Sequence, residues 1–521
     1  MKKGDNLRIL SGAQTKAVEC YAVEQGMTFL GLMENAGTAC VEVIRDEVLH
    51  RLSGKKILVV SGTGKNGGDG FVVAGKLYEE GIEVSVLLCK GEPKDEESLE
   101  MLNRIKKLPI EIIGSVEVLN TEYYNNADII VDAIFGTGFR GAMEFDILKV
   151  VELINKSKAI KVSIDIPSGL YCDSGEETQA FVKPDYTLAL NNLNPVHVLV
   201  PASYYCGKVI LCDIGITDDV YERLTGLKTF GLNDNGIKQL FKPISLTANK
   251  GDNGHVLSIC GSKSMPGAAV LAAKGAVFSG AGLVTCAFPE CAYPAISSKL
   301  TEPLLLPLEF NKSGTFSANS IHKLLPHIKK ASSILVGCGL GLNKDTKALV
   351  NFILENAQSP VILDADALNA VAENTDFLKQ IKVPLVLTPH PGEMSRLTGL
   401  SIPEIQADRV SVAHNFAKEY EVTLVLKGAN TVVADNNSVE VYVNITGNPG
   451  LAKGGSGDLL AGIIASFVAQ GIGVGDACIA GVYLHGLAGD RAAARLSVRG
   501  VTPTECAEEL QSALNDFEIL I

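Results

Sequence analysis

Lys56-Ile57-Leu58-Val59-Val60-Ser61-Gly62-Thr63-Gly64-Lys65-Asn66-Gly67-Gly68-Asp69-Gly70 carries a short apolar run, Lys56–Val60, through glycines into an amphipathic stretch, Gly70–Glu80. A strand that turns over glycines into a helix is the unit from which parallel α/β sheets are assembled. The pattern recurs. Candidate strands Glu83–Leu88, Ile110–Ile113, Ile129–Ile134, Val162–Ile166, Thr187–Leu190 and Lys208–Cys212 alternate with helical stretches such as Leu32–Leu49. The charged span Asp95–Lys107 has the composition of a solvated helix. A second series follows: His255–Cys260, Leu283–Ala287, Ile334–Val336, Val361–Leu363, Leu385–Leu387, Thr423–Leu426, Thr431–Ala434 and Val439–Val443, with helices closing the chain from Gly457. Ile216–Asn235 lacks a strong period and is the expected junction, giving domains at 1–220 and 228–521.

The chain has 521 residues, more than one hydrophobic core serves. Lys+Arg 46 against Asp+Glu 59 leaves a net charge of -13, which argues against nucleic-acid binding. Met1-Lys2-Lys3-Gly4-Asp5 lacks the apolar centre of a signal peptide. The most apolar run, Leu459–Val474, is broken by Gln470 and glycines, so no membrane span is expected. The 12 cysteines include no C-x-x-C pair and fit reduced thiols in the cytoplasm. The expectation is a cytoplasmic homo-oligomer acting on small molecules.

Gly62, Gly64 and Gly67 spell G-x-G-x-x-G, the dinucleotide fingerprint. Against that, the next strand ends at Cys89-Lys90 without a ribose-binding acid, and Asp69 would set a negative charge beside a pyrophosphate. A glycine turn needed only for close helix–strand packing is equally open. Two further strand ends add chemistry: Val131-Asp132-Ala133-Ile134-Phe135-Gly136-Thr137-Gly138-Phe139-Arg140-Gly141 and Val162-Ser163-Ile164-Asp165-Ile166-Pro167-Ser168-Gly169. The C-terminal strand ends of a parallel sheet line one crevice, so Asn66, Asp132, Asp165 and Ser168 are expected to converge. Such an oxygen-rich set can bind a cation, polarise a hydroxyl or move a proton.

G-x-x-N-G-G-D-G, then D-A-x-x-G-T-G, then D-I-P-S-G resembles the YjeF N-terminal domain, the NAD(P)HX epimerase family, over residues 1–220. The resemblance implies a Rossmann-like doubly wound sheet that binds a hydrated reduced nicotinamide dinucleotide and a potassium ion. It implies potassium at Asn66, Asp132 and Ser168. The dinucleotide falls to Lys65, Asn66, Gly67, Gly68 and Asp69, to Gly136, Thr137, Gly138, Phe139, Arg140, Gly141 and Ala142, and to Asp165. Asp165 is the expected proton carrier. Lys65 stands where the family usually has Asn.

In the second half, Asn448-Pro449-Gly450-Leu451-Ala452-Lys453-Gly454-Gly455-Ser456-Gly457-Asp458 leads into an apolar helix. Glycines let backbone N–H groups converge on an anion, and the helix dipole adds partial positive charge. Asp458 is placed to take a proton from an attacking hydroxyl, although an N-terminal Asp also caps helices without any catalytic role. Other candidates are Lys427-Gly428-Ala429-Asn430-Thr431, Thr388-Pro389-His390-Pro391-Gly392-Glu393, Leu363-Asp364-Ala365-Asp366, and Gly337-Cys338-Gly339-Leu340-Gly341. His485 reads as packing.

With Lys250–His255 and Pro266-Gly267-Ala268-Ala269, these segments resemble, in order, the YjeF C-terminal domain, the ADP-dependent NAD(P)HX dehydratase of the ribokinase-like superfamily. The resemblance implies a ribokinase-like α/β domain that binds NAD(P)HX at Ala269, Gly339, His390 and Asp458. ADP or AMP falls to Lys427, Gly428, Ala429, Asn430, Thr431 and Gly457, with Asp458 catalytic and magnesium accompanying the nucleotide. Departures are Cys338 for the usual Pro, and Lys453 and Ser456 for Thr. The two halves together imply a single repair function. One would epimerise R- and S-NAD(P)HX, and the other would dehydrate the S form at the expense of ADP, giving AMP and phosphate. The substrates are NADHX, NADPHX and ADP. A small-molecule kinase is the rival for the second half, and a non-catalytic binding module for the first.

Overall fold

The computed structural model describes residues 6–51, 56–114 and 119–518. One compact unit spans Leu7–Gly226, and a second begins at Leu227. The first described element is a short strand, Asn6–Ile9 (β1); Leu193 N donates to Arg8 O in it, and Leu10 N, just after it, donates to Leu193 O.

The first unit is built on seven strands: Lys56–Ser61 (β2), Glu83–Leu88 (β3), Glu111–Ile113 (β4), Ile129–Ala133 (β5), Ile160–Ile164 (β6), Tyr186–Leu190 (β7) and Lys208–Cys212 (β8). They lie in the order β4-β3-β2-β5-β6-β7-β8, all parallel. The strands are nearly continuous Ile, Leu and Val because both faces are covered. Ile57 and Val59 pack on the helices Phe29–Val43, Lys65–Glu79 and Glu96–Ile105. Leu58 and Val60 pack on the opposite side with the helix Phe145–Lys156. This is the expected doubly wound sheet. Strand order reverses between β2 and β5, so the segments leaving those strands part and open a crevice there.

Two sequence expectations need correction. Residues 65–69 are not a loop, because the helix already begins at Lys65, after Gly64 in extended backbone. The glycines allow that early start. A Cβ on Gly62 would lie 2.0 Å from Ile134 O, and one on Gly67 would lie 2.1 Å from Gly62 O. Second, β6 ends at Ile164 rather than Ile166, because Asp165 turns the chain with φ 66°.

The second unit contains Lys228–Leu232 (β9), His255–Ile259 (β10), Leu283–Pro289 (β11), Leu304–Leu308 (β12), Ser333–Val336 (β13), Val361–Leu363 (β14), Leu385–Leu387 (β15), Thr423–Leu426 (β16), Val432–Asp435 (β17) and Glu440–Val443 (β18). From β9 the order runs β9-β18-β17-β16-β15-β14-β13-β10-β11-β12, parallel except for the antiparallel pairs β16–β17 and β17–β18. The sequence reading missed β9, which lies inside the expected junction, and β12, an edge strand that tolerates Pro307 because its outer side needs no N–H donor.

The core of this unit joins the helices Pro266–Phe278, Ser456–Ala469, Val474–Leu496 and Pro503–Leu514. Ser456–Ala469 is buried almost all round, which accounts for its apolar composition. Among the described residues no helix is long and apolar enough to cross a membrane. Gly275 and Gly462 bring two of these helices to backbone contact: a Cβ on Gly275 would lie 2.4 Å from Leu459 O, and one on Gly462 would lie 2.1 Å from Ala272 O.

Candidate active sites

In the first unit the site forms at the β2/β5 switch. Asp132, near the end of β5, is wholly buried. Its Oδ1 accepts from Ser168 Oγ at 2.6 Å, and its Oδ2 accepts from Ser163 Oγ at 2.7 Å and Ser168 N at 2.9 Å. Burial raises its pKa, and hydrogen bonds from Ser168, Ser163 and Ile134 oppose the rise. Asn66 donates through Nδ2 to Phe135 O at 2.9 Å and Ile164 O at 3.2 Å. Its Oδ1 is left buried without a partner among the described residues.

Asp165 Oδ2 accepts from Thr137 N at 2.9 Å, and its carbonyl lies 2.8 Å from His197 Nε2. Burial pushes its carboxyl up to about 6, opposed by the Thr137 N–H. A side chain at position 136 would strike this group, since a Cβ on Gly136 would lie 2.5 Å from Asp165 Oδ2 and 3.4 Å from Asn66 Cβ. The expected convergence of Asn66, Asp132, Asp165 and Ser168 is therefore present.

Glu19, on the helix Gly12–Glu24, belongs to the same field, and nothing in the sequence singles it out. Burial first, and then Asp165, push its carboxyl up to about 7, with Lys65 and Lys16 opposing. Asp69 is raised well above the carboxylate range by burial and by the charges of Asp165 and Glu19. Lys65 places Nζ 4.0 Å over the Phe29 ring. Arg140 is committed to structure: NH1 donates to Thr137 O at 3.0 Å and Phe139 O at 2.8 Å, and NH2 to Asp173 Oδ2 at 2.9 Å. Phe139 stacks between Phe135 and Tyr171, with centroids at 4.7 and 5.7 Å. Gly138, Gly141 and Ala142 are exposed on the outer part of this loop.

In the second unit the site gathers around Asp458, in the first turn of Ser456–Ala469. Gly455 precedes it with φ 98°, and a Cβ there would lie 2.5 Å from Leu271 Cδ1. Asp364, which follows β14, faces it. Asp364 Oδ1 accepts from Lys427 Nζ and from Thr388 Oγ1, both at 2.6 Å, and Oδ2 accepts from Cys338 Sγ at 3.4 Å. One ligand-type atom each of Cys338, Asp364 and Asp458 lies within 4.8 Å of the others. Burial and then Asp364 push the Asp458 carboxyl up to about 6, opposed by Cys338 and Lys427. Burial opposes the charge of Lys427, but Asp364 and Glu393 more than offset it and raise its pKa.

Lys427 therefore has two attachments. Its backbone starts the turn in which Thr431 Oγ1 donates to Gly428 O at 3.0 Å, and Asn430, with φ 53°, donates to Asn444 O at 3.1 Å. Its ammonium reaches the acid cluster and would lie 3.2 Å from a Cβ on Gly457. Ala429 and Gly428 are exposed.

His390 caps the helix Pro391–Thr398, accepting at Nδ1 from Gly392 N at 2.9 Å and Glu393 N at 3.3 Å, with its side chain 53% exposed. Gly339, with φ 64°, has room for no Cβ, which would lie 2.7 Å from Ala268 Cβ. Ala269 is fully buried, so it forms wall rather than contact surface. His485 is buried as expected, its pKa pushed down to about 4 by burial and then by Lys427.

Residues 30–195 match the family model described as YjeF-related protein N-terminus, and residues 256–512 match that of NAD(P)H-hydrate dehydratase. The chain is 36% identical to the bifunctional NAD(P)H-hydrate repair enzyme Nnr of Moorella thermoacetica, over 94% of this chain and 92% of that one. It is 34% identical to the protein of the same description from Thermofilum pendens, over 97% and 96%. Among solved structures, it is similar to the ADP/ATP-dependent NAD(P)H-hydrate dehydratase from Bacillus subtilis co-crystallized with ATP/Mg2+. That match has 30% identity over 55% of this chain and 98% of that one, with a TM-score of 0.47.

Proposed function

The chain belongs to the family of bifunctional NAD(P)H-hydrate repair enzymes, and from that premise we propose how its residues divide the work. Residues 1–220 interconvert R- and S-NAD(P)HX, and residues 228–521 dehydrate the S epimer at the expense of ADP, releasing AMP and phosphate. The observation that carries this reading is the Asp458 carboxyl. It stands at a glycine-led helix N-terminus, ringed by Asp364, Lys427 and Cys338, and is pushed up to about 6 by burial and by Asp364.

Hydroxide is a poor leaving group, so the hydroxyl of the hydrated ring must first be converted to a better one. Asp458 takes the hydroxyl proton as the oxygen attacks the terminal phosphoryl of ADP, and the bond to AMP breaks. The N–H groups at Gly455–Gly457 stabilise charge on the transferring group. The ring nitrogen then drives out phosphate, and loss of the neighbouring carbon-bound proton restores the dihydropyridine. Magnesium accompanies the nucleotide. The turn Lys427–Thr431 and Gly457 hold ADP, while Gly339, Ala269 and His390 border the dinucleotide.

In the epimerase half, Asp165 gives a proton to the hydroxyl as the C–O bond breaks, and water leaves a ring iminium. Water returning to the opposite face hands a proton back, and the other epimer results. The helix start at Lys65–Asp69 and the loop Gly136–Ala142 border the dinucleotide. Asn66, Asp132 and Ser168 fit a potassium ion: among the described residues, Asn66 Oδ1 is a buried acceptor with no donor, and Asp132 is a buried carboxyl whose side-chain hydrogen bonds come from neutral serines. Potassium would supply a counter-charge.

The test is incubation of hydrated NADPH with the protein and ADP or ATP, following return of the reduced-nicotinamide absorbance. Recovery is expected with ADP. No recovery with either nucleotide overturns the reading.

A further inference from the structure

Arg409 opens the helix Arg409–Tyr420, and its guanidinium folds back beneath the Lys427–Thr431 turn. NH2 donates to Leu426 O at 2.8 Å and to Lys427 O at 3.3 Å, and NH1 donates to Gln406 Oε1 at 2.6 Å. All three acceptors are neutral. Among the described residues no carboxylate pairs with this cation, and its Nε–H is buried without an acceptor. Burial alone acts on it, drawing its pKa down to about 10, so it remains charged at neutral pH. A cation withdrawn from water without a counter-ion is destabilising, so the backbone carbonyls it grips must supply the compensation.

Gly428 lies against the same group. A Cβ there would lie 3.0 Å from Arg409 NH2 and 3.1 Å from NH1, so the guanidinium packs against the Cα of Gly428 more closely than a side chain there would allow without a shift. The neighbouring backbone is held on both sides. The carbonyls of Leu426 and Lys427 go to Arg409, while Lys427 N donates to Pro389 O at 2.8 Å and Gly428 N to Thr431 Oγ1 at 3.3 Å. From this fixed backbone the Lys427 side chain reaches Asp364. A charged, forked donor holds two carbonyls more firmly than a neutral amide does.

We propose that Arg409 is a positioning residue of the dehydratase site, fixing the Lys427–Thr431 turn in the shape that receives the nucleotide and aiming Lys427 at Asp364. The inference rests on the assignment of that turn to ADP. Wild-type dependence on ADP tests that assignment itself, and its absence overturns both. Given that dependence, Arg409→Gln should raise KM for ADP by about tenfold or more, while KM for hydrated NADPH stays within about twofold. Arg409→Lys keeps the charge but cannot fork to both carbonyls, so it should remain within about threefold of the Gln variant. An unchanged ADP KM in Arg409→Gln, or full recovery by Lys, overturns the proposal while leaving the nucleotide assignment intact.

Thermal melting without nucleotide identifies variants that fail to fold. Should Arg409→Gln be one, Gly428→Ala crowds the same guanidinium from the other side, and because φ 152° strains any side chain there, only its coupling to Arg409 is read. The double variant Arg409→Lys/Gly428→Ala should then be no worse than Gly428→Ala alone, and additive losses overturn the coupling.

Discussion

Asp165 and Asp458 are both buried carboxyls pushed up to about 6, and burial is the first cause for each, yet their surroundings differ. Around Asp165 the restraint is a single backbone N–H from Thr137, and the neighbouring charges are chiefly other acids, Glu19 and Asp69, with Lys65. Around Asp458 a buried ion pair, Lys427–Asp364, supplies opposing charges, one on each side of the balance. The contrast matches the two reactions. Moving a proton onto and off a hydroxyl needs a carboxyl raised toward neutrality, so that it can both give and take a proton. Receiving a polyanion beside an ionised base needs a cation already in place.

The largest effect should separate the two sites outright. Asp458→Asn is expected to lower dehydration by about three orders of magnitude and leave epimer interconversion intact. Equal loss of both activities in a folded variant would break the division. Next comes the converse: Asp165→Asn should slow interconversion about a hundredfold, read by exchange between the two epimers, without affecting dehydration of the S form. Smaller still, Asn66→Leu replaces the unpartnered Oδ1 with a methyl and should cost epimerisation about tenfold, abolishing any activation by potassium. Dehydration should not respond.

The subtlest test is a pH profile. Asp458 acts as a base only when ionised, so dehydration should be lost as pH falls through about 6 and reach a plateau above it. Lys427 favours the ionised form, so Lys427→Met should move that limb to higher pH. An unmoved limb would separate Lys427 from the base and leave it only a nucleotide-binding part.

How far the sequence was legible follows from the range of the contacts involved. Strands such as Ile129–Ala133 and Val361–Leu363 were readable because their side chains are almost wholly apolar and buried. The glycine-led turns before Lys65–Glu79 and Ser456–Ala469 are readable because glycine spacing is local, although the first helix begins five residues earlier than its amphipathic stretch suggests. β6 was placed two residues late, since nothing in Ile164-Asp165-Ile166 announces that Asp165 turns at positive φ. Glu19 and Arg409 were missed for another reason. Neither lies in a glycine turn or at a strand end, and only the fold brings Glu19 to Asp165 or Arg409 to Leu426 and Lys427. Asp364 was noticed as an acidic strand end, but its pairing with Lys427 spans 63 positions.

The backbone contact at Gly275 and Gly462 gives the dehydratase centre a mechanical property. Gly462 follows Asp458 by four positions, about 6 Å along the helix axis. The facing helix, Pro266–Phe278, also carries Ala269. Where these two glycines meet, backbone lies on backbone, with no side chain to take up a change in spacing. A wedge the size of one methyl group at that crossing would lever the helix start away from its partners and withdraw the base. Inhibition of the chemistry thus has a handle one helical turn from the reacting atoms, at a point that no substrate need occupy.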